Sequence, residues 1–328
     1  MRVRTRAVAG LLASLLSVAV AGCGSGSGGG GDNAQSGGSS SGPVTVRIAH
    51  NSNAAALPAQ VALAKGFFKK QGLNVTFKQI EDVATLPPAL DKSFDIVLSA
   101  PTLEISATAH GIPMVVVSGG TVSTKDNPTA AVIASRASGI TNISQMAGKT
   151  LGSLSPTGTI GIGSLYMMKK AGVDISKVHV IALNGPQQTD QMAAGRVDAV
   201  VSVAPFTNQL MALPGSVNLG DPYQSLSSDL SGINWASSKK YADAHAATIK
   251  KFNAAMAEAI TYIGANDADA RKILQSYTQL PDAVAAKTVF PTYRTEVRKS
   301  DLDRWLTAMQ QVSDFKDKVN TSQMVASS

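Results

Sequence analysis

Cysteine is almost absent from this chain of 328 residues, which contains one, Cys23. A single cysteine cannot form an internal disulfide and cannot build a multi-thiolate metal site. Aromatic residues make up only 5% of the chain and charged residues 16%. We therefore expect the stability of the fold to come from a hydrophobic core, and the part of the chain after position 43 is long enough to build one or two.

Long hydrophobic runs and basic stripes are also missing. The apolar run from Ala7 to Ala21 has about fifteen residues, whereas a transmembrane helix needs roughly 20. The formal net charge is +7, and three of the arginines lie within the first six residues. The other basic residues are interleaved with acidic ones and form no stripe with aromatic side chains. We therefore expect no nucleic-acid partner.

Patterns for catalysis and metal binding are lacking as well. The histidines show no metal-type spacing, and they are His50, His110, His179 and His245. No glycine loop is followed by Gly-Lys-Ser/Thr, and no Gly-x-Ser-x-Gly lies at a strand-to-helix turn. Acidic residues are scarce in the loops that could surround a site, although general acid–base catalysis depends on such groups. We predict a protein that is not an enzyme and that holds no metal and no cofactor.

The N-terminal region has the order of a secretory signal: three arginines, the apolar run, and then Val20-Ala21-Gly22-Cys23. The cysteine at the cleavage point resembles the lipobox of bacterial lipoproteins. The resemblance implies a signal peptide at 1–22 and a lipidated Cys23, which would anchor the protein at the outer face of the cell membrane. Residues 23–43 are rich in Gly and Ser and are expected to form a flexible tether. The alternative is an ordinary signal peptide followed by a buried cysteine.

Strands and helices alternate from Val44 onward. Period-two and buried-type strands follow one another with helices between them, first up to about residue 128 and again from about 129 to 221. The first part includes a helix expected over 58–72 and a strand over 114–117. The C-terminal part is helical, with a long amphipathic helix over 239–265 and a last helix over 301–315. This order predicts the α/β class with parallel sheets and crossover helices.

Four segments of the chain resemble one family, the ABC-importer solute-binding proteins of the nitrate/sulfonate/taurine type. They are residues 57–75 (LPAQVALAKGFFKKQGLNV), 93–101 (SFDIVLSAP), 148–159 (GKTLGSLSPTGT) and 195–206 (GRVDAVVSVAPF). The resemblance covers about residues 44–315. It implies a type II periplasmic-binding-protein fold, in which a two-strand hinge joins two α/β lobes and the ligand lies in the cleft between them. Lobe 1 would comprise 44–128 plus 222–328, and lobe 2 would comprise 129–221. The implied partners are a small-molecule ligand, an ABC permease and an ATPase, with the binding protein itself a monomer.

Candidate ligand-binding residues lie where predicted strands end and helices begin, because ligands of open α/β sheets bind at these strand ends. Helix N-termini there offer unpaired N–H groups and a partial positive charge. The candidates are Asn51, Ser52, Ser99, Thr102, Ser155, Thr157, Gly158, Thr159, Gln187, Pro205, Asn208 and Trp235. Two alternatives stay open: Ser155 and Thr157 could instead cap their own helix, and Trp235 could belong to the core.

The composition of these loops favours a small oxyanion-bearing solute of the sulfonate, taurine or nitrate class. Hydroxyl, amide and glycine residues predominate, and an acidic cluster that would suit a polyamine or a metal cation is not evident. Two alternatives remain. One is a binding protein for a thiamine-precursor-like pyrimidine, and the other is a lipoprotein sensor without an importer.

Overall fold

The structure, a computed structural model, describes residues 42–326. The predicted signal peptide, Cys23 and most of the predicted tether lie outside the described residues. The strands are β1 (Val44–His50), β2 (Leu73–Gln79), β3 (Ile96–Ser99), β4 (Met114–Thr124), β5 (Ala130–Ala134), β6 (Thr150–Ser153), β7 (His179–Ala182), β8 (Ala199–Val203), β9 (Val217–Gly220), β10 (Asp229–Ser238) and β11 (Thr292–Tyr293). The helices are α1 (Leu57–Ala64), α2 (Phe67–Lys70), α3 (Pro101–Ala109), α4 (Thr159–Lys170), α5 (Gly185–Ala193), α6 (Phe206–Met211), α7 (Lys239–Ala244), α8 (Ala246–Ala265), α9 (Asp267–Thr278), α10 (Asp282–Lys287) and α11 (Lys299–Val312).

One six-stranded sheet has the order β11-β4-β10-β3-β1-β2. Strands β1, β2 and β3 are parallel; α1 and α2 form the crossover from β1 to β2, and residues 80–95 connect β2 to β3. β10 runs antiparallel between β3 and β4. Helices α1, α2 and α8 cover one face, where Phe68 and Phe252 stack in the core. We call the part of the chain built on this sheet lobe 1.

A five-stranded sheet has the order β7-β6-β8-β5-β9. β6 is parallel to β7 and β8, while β5 is antiparallel to β8 and β9. Its strands β5, β6 and β8 are almost wholly buried, and β5 and β8 are largely aliphatic, as expected for a sheet covered on both faces. We call the part built on this sheet lobe 2.

Two connections cross between the lobes. β4 leads through residues 125–129 into β5, and β9 returns through 221–228 into β10. Ser123 at the end of β4 donates a hydrogen bond to the Asp221 carboxylate just after β9. The Ser123 hydroxyl also accepts from the backbone N–H of Thr129 at 3.3 Å. The two crossings are thus joined to each other, and they form a hinge of the predicted two-strand kind.

Lobe 1 contains more strand than the sequence indicates. The sequence predicts a strand that ends at Val117, but β4 continues through Gly119 and Gly120 to Thr124, and β10 is not predicted at all. A Cβ atom at Gly119 would lie 2.5 Å from the carbonyl oxygen of Glu296. A Cβ atom at Gly120 would lie 2.5 Å from the carbonyl oxygen of Ile233. These glycines therefore allow a close backbone approach beside the irregular register of β10, rather than ending the strand.

Two predicted helices are interrupted. The helix expected over 58–72 divides into α1 and α2 because Gly66 adopts a left-handed conformation with φ of 73°. The helix expected over 239–265 divides at His245 into α7 and α8. None of the helices within residues 42–326 combines the length and the apolar character that crossing a membrane requires.

The last helix, α11, packs against α3 of lobe 1 and α4 of lobe 2. Its apolar stripe is largely buried, including Leu302, Trp305 and Met309. The Trp305 ring lies edge-on against Tyr223 at 5.3 Å between centroids, and its Nε1 donates to the Ser231 carbonyl at 2.8 Å. The C-terminal helix therefore contributes to a core that both lobes share.

Candidate ligand-binding cleft

A cavity of about 1170 Å³ lies between the lobes. On the lobe 1 side, residues that follow β1, β2 and β3 line the cavity. On the lobe 2 side, the loops that precede α4, α5 and α6 line it. Residues 127–129 of the first hinge connection and the first two residues of β5 also line it. The cavity thus occupies the strand-end position at which open α/β sheets bind ligands.

Three helices of nine or more residues begin at this cavity. The N-cap residues of α3, α4 and α5 are Ala100, Gly158 and Asn184, and all three line the cavity. None of them makes a side-chain capping hydrogen bond. The first turns therefore retain unpaired backbone N–H groups and the positive end of the helix dipole, both of which favour an acceptor-rich or anionic group.

Eight of the twelve predicted site residues line the cavity, and the structure brings them together from both lobes. They are Asn51, Ser52, Thr102, Ser155, Thr157, Gly158, Thr159 and Pro205.

The other four predicted residues do not line the cavity. Trp235 is 0% exposed and packs edge-on against Phe252 in the lobe 1 core, in accordance with the core alternative. Ser99 is buried on β3 opposite Asn234. Gln187 is exposed on the first turn of α5 and does not line the cavity, whereas its neighbour Pro186 does.

Asn208, the last of these four, lies on α6 at the outer edge of the cavity. Its Nδ2 donates to the Lys287 carbonyl of lobe 1 at 3.4 Å. Its position therefore joins the two lobes rather than lining the space between them.

The loop before α4 presents free hydroxyls. The interpretation of Ser155 and Thr157 as helix caps is wrong, because Gly158 is the N-cap and no side chain caps α4. Within the described residues neither hydroxyl makes a hydrogen bond to a protein group. The Thr159 hydroxyl, in contrast, lies 3.0 Å from the Tyr223 hydroxyl and donates to the Gly232 carbonyl at 3.3 Å. Ser155 and Thr157 are thus the hydroxyls of this loop that remain available to a ligand.

Three buried side-chain oxygens of the cavity lining have no hydrogen-bond partner within the described residues. They are Asn51 Oδ1, Thr102 Oγ1 and Thr129 Oγ1. Thr102 is 1% exposed and lies in the first turn of α3. An unpaired buried polar atom costs about 1–3 kcal/mol. A ligand with hydrogen-bond donors would recover part of this cost.

The charged side chains that line the cavity are Glu81, Asp82 and Asp221, and no Lys, Arg or His in residues 42–326 lines it. The expectation from the sequence that acidic residues are scarce around the site is therefore wrong for this cavity. Burial raises the pKa of the Asp221 carboxyl, while hydrogen bonds from Ser123 and from backbone N–H groups oppose the increase. The cavity thus combines helix N-termini with carboxylates.

These carboxylates are the main residues that the sequence interpretation missed. Glu81 and Asp82 follow the end of β2, so the rule applied to β1 and β3 would have found them. Asp221 follows β9, a strand that the sequence did not indicate. His50 is buried beside the cavity, with Nε2 2.7 Å from Gln60 Nε2, and does not line it. Within the described residues no group of three His, Cys, Asp or Glu side chains is arranged to hold a metal ion.

Comparison with known proteins supports this reading of the fold. The sequence model of the family described as NMT1/THI5 like matches residues 53–270, which is more than half of the chain. No curated protein sequence matches the chain.

Solved structures with the same fold include two sulfonate-binding proteins. The alkanesulfonate-binding protein SsuA from Xanthomonas axonopodis pv. citri, bound to MOPS, is 18% identical with a TM-score of 0.71, covering 87% of this chain and 98% of its own. The periplasmic aliphatic sulphonate binding protein SsuA from Escherichia coli is also 18% identical, with a TM-score of 0.72 and the same coverage of both chains.

A third structure is the periplasmic nitrate-binding protein NrtA from Synechocystis PCC 6803. It is 14% identical with a TM-score of 0.71, and the similarity covers 85% of this chain and 84% of NrtA. These similarities concern the fold, and they confirm the predicted periplasmic-binding-protein architecture.

Proposed function

This chain belongs to the NMT1/THI5-like family, and from that membership we propose that it is the solute-binding protein of an ABC importer. It captures a small oxyanion-bearing solute between its lobes by hinge closure and delivers it to a permease driven by a separate ATPase. The observation that carries the proposal is the cleft itself, in which uncapped helix N-termini from both lobes face one cavity. Binding at such a cleft requires no catalytic group.

Within the sulfonate, taurine and nitrate class, we favour solutes that also carry an amine. An anionic end suits the N-termini of α4 and α5 and the hydroxyls of Ser155 and Thr157. A bare anion would meet no cationic side chain, yet it would meet the carboxylates of the lining. A protonated amine at the other end of the solute would pair with Glu81, Asp82 or Asp221. Taurine is the simplest solute with both ends.

A second candidate is an aminopyrimidine of the thiamine-precursor type. The carboxylates favour its amino N–H groups, and Phe206 in the lining offers a ring face for stacking.

A sensor lipoprotein with the same cleft but without an importer is a third candidate. We place the protein outside the cytoplasm as a monomer held by a lipid on Cys23.

A thermal-shift panel tests the ligand class. We expect taurine to raise the Tm more than ethanesulfonate, which lacks only the amine, and ethanesulfonate more than nitrate. At a concentration 100-fold above Kd, a ligand stabilises the folded state by about 2.7 kcal/mol, which corresponds to several degrees in Tm. The matched pair of 4-aminopyrimidine and pyrimidine reports on the second candidate. Stabilisation by cations that lack an acceptor-rich end, with none from the panel, would contradict the proposal.

Removing the free hydroxyls of the α4 loop should weaken binding without unfolding the protein. We expect the double variant Ser155→Ala/Thr157→Ala to raise Kd about 10- to 30-fold, since each hydrogen bond contributes roughly 1 kcal/mol. Its urea midpoint should stay that of the wild type, because neither hydroxyl caps α4. Isothermal titration calorimetry measures Kd, and circular dichroism measures the urea midpoint. Thr261→Ala removes an exposed hydroxyl on α8 and is the control. An unchanged Kd would remove this loop from the site.

A further inference from the structure

We propose that Arg271, which does not line the cavity, is a positioning residue for the mouth of the cleft. It holds residues 285–291, here called the rim segment, against α6 of lobe 2. The inference rests on the proposed function in taking this cavity as the ligand cleft, and it adds the residue that fixes one edge of it.

The guanidinium group of Arg271 contacts the rim segment at several residues. On α9, its Nη1 donates to the carbonyl oxygens of Ala285 at 2.7 Å and Thr288 at 2.8 Å. The guanidinium also lies over the Phe290 ring, 4.8 Å from its centroid. Its other edge donates from Nε to Asp267 at 2.7 Å. One planar side chain therefore fixes three positions of the rim segment at once, which a lysine could not reproduce.

These contacts leave the apolar side chain of Val289 exposed in the cleft. Thr288 is fully buried and Phe290 packs against the lobe 1 core. Val289, between them, is 62% exposed and lines the cavity. A flexible loop would lower its free energy by burying the apolar side chain of this valine. Its exposure is thus imposed by the anchored neighbours on either side.

The rim segment also contacts the hinge and lobe 2. Asn127, in the first hinge connection, donates from Nδ2 to the Phe290 carbonyl at 2.9 Å. Asn208 on α6 donates to the Lys287 carbonyl at 3.4 Å. On the same α6, Phe206 lines the cavity. The segment held by Arg271 is therefore a place where lobe 1, the hinge and lobe 2 meet beside the ligand space.

Hydrogen–deuterium exchange of the full-length protein without ligand tests this role. In Arg271→Gln we expect about tenfold faster exchange in the rim segment and also in α6 of the opposite lobe. The matched control is Asp267→Asn, which removes the exposed ion-pair partner of Arg271 but leaves both carbonyl contacts. It should leave α6 exchange at the wild-type rate, and Arg271→Lys should restore only part of the protection. A merely structural role for Arg271 would not reach α6.

Unchanged exchange in α6 of Arg271→Gln would overturn the proposal, as would equal effects of Arg271→Gln and Asp267→Asn. If Arg271→Gln does not fold, Asn208→Ala decides, because it removes the lobe 2 side of the contact at an exposed position. It should accelerate exchange in the rim segment about threefold, and no change there contradicts the bridge. These comparisons need no ligand. A protein that binds nothing in the solute panel would therefore end the proposed function and still leave this inference decided.

Discussion

Replacing Trp305 by alanine should lower the free energy of unfolding by about 3–5 kcal/mol, as for other fully buried aromatic side chains. Trp305 is 0% exposed, and it joins α11 to β10 and to the hinge residue Tyr223. Its ring also approaches α4, with Cη2 about 3.5 Å from the position that a Cβ on Gly163 would take. Because domains are stable by only about 5–15 kcal/mol, this loss is a large fraction of the total. Urea unfolding followed by circular dichroism measures it.

A matched pair of tryptophan substitutions isolates the hydrogen bond. Trp305→Phe leaves the Ser231 carbonyl without its donor at a buried site, which should cost about 1–3 kcal/mol beyond the loss of volume. Trp235→Phe makes the same chemical change in the lobe 1 core, but Nε1 of Trp235 has no partner within the described residues. We expect Trp305→Phe to be clearly the more destabilising of the two. Equal losses would show that α11 is held to β10 by packing alone.

Replacing Glu104 by glutamine should remove a strong pH dependence of stability. Glu104 is fully buried in the first turn of α3, where its Oε2 accepts a hydrogen bond from Asn234 at 3.2 Å and its Oε1 has no partner within the described residues. Burial raises the pKa of this carboxyl from 4.5 to about 8, although the hydrogen bond from Asn234 opposes the increase. The folded protein therefore holds a proton on Glu104 at neutral pH.

The sign of the effect follows from which state binds the proton. Between pH 4.5 and about 8 the folded state is protonated at Glu104 and the unfolded state is not. Stability from this group is therefore fully present below pH 4.5, and it is lost as the pH rises towards 8. The difference between the two pKa values corresponds to about 5 kcal/mol at most.

We expect urea midpoints of the wild type to fall between pH 5 and pH 9, and those of Glu104→Gln to fall much less. At pH 9 the variant should be the more stable protein. Glu296→Gln, at an exposed glutamate, controls for the loss of one negative charge. A variant that parallels the wild type at every pH would show that Glu104 is ionised in the folded protein.

The motif-bearing segments of the chain allowed the two-lobe fold to be predicted. β1 alternates apolar and polar residues, whereas β3, β5 and β8 are short, mostly apolar runs, so local sequence patterns locate all four. β10 could not be found in this way, because Ser231, Gly232 and Asn234 interrupt its apolar pattern. Its strand conformation comes from pairing with β3 and β4, which are distant in sequence. Tertiary pairing thus overrides local preference in the centre of the lobe 1 sheet.

The candidate site was predictable where it follows a recognisable strand. The loop from Ser155 to Thr159 lies between β6 and α4, and the strand-end rule places it at the cavity. Gln187 shows the limit of the rule, since it gives the right helix start but not the side of the helix that faces the cavity. Asp221 shows another limit, because its strand β9 was not recognised. Among the cleft carboxylates, Glu81 and Asp82 were therefore accessible to the strand-end rule, whereas Asp221 could be placed only by the folded structure.

In the binding mode that we propose, one solute lies between the two lobes, with its acceptor-rich end at the helix N-termini and its amine at the carboxylates. Calorimetric titration of the full-length protein with taurine tests it most directly. We expect a saturable titration with one site per chain for taurine and clearly weaker binding of ethanesulfonate, which differs only in lacking the amine. A flat titration with taurine, or equal affinity for the two compounds, would contradict it.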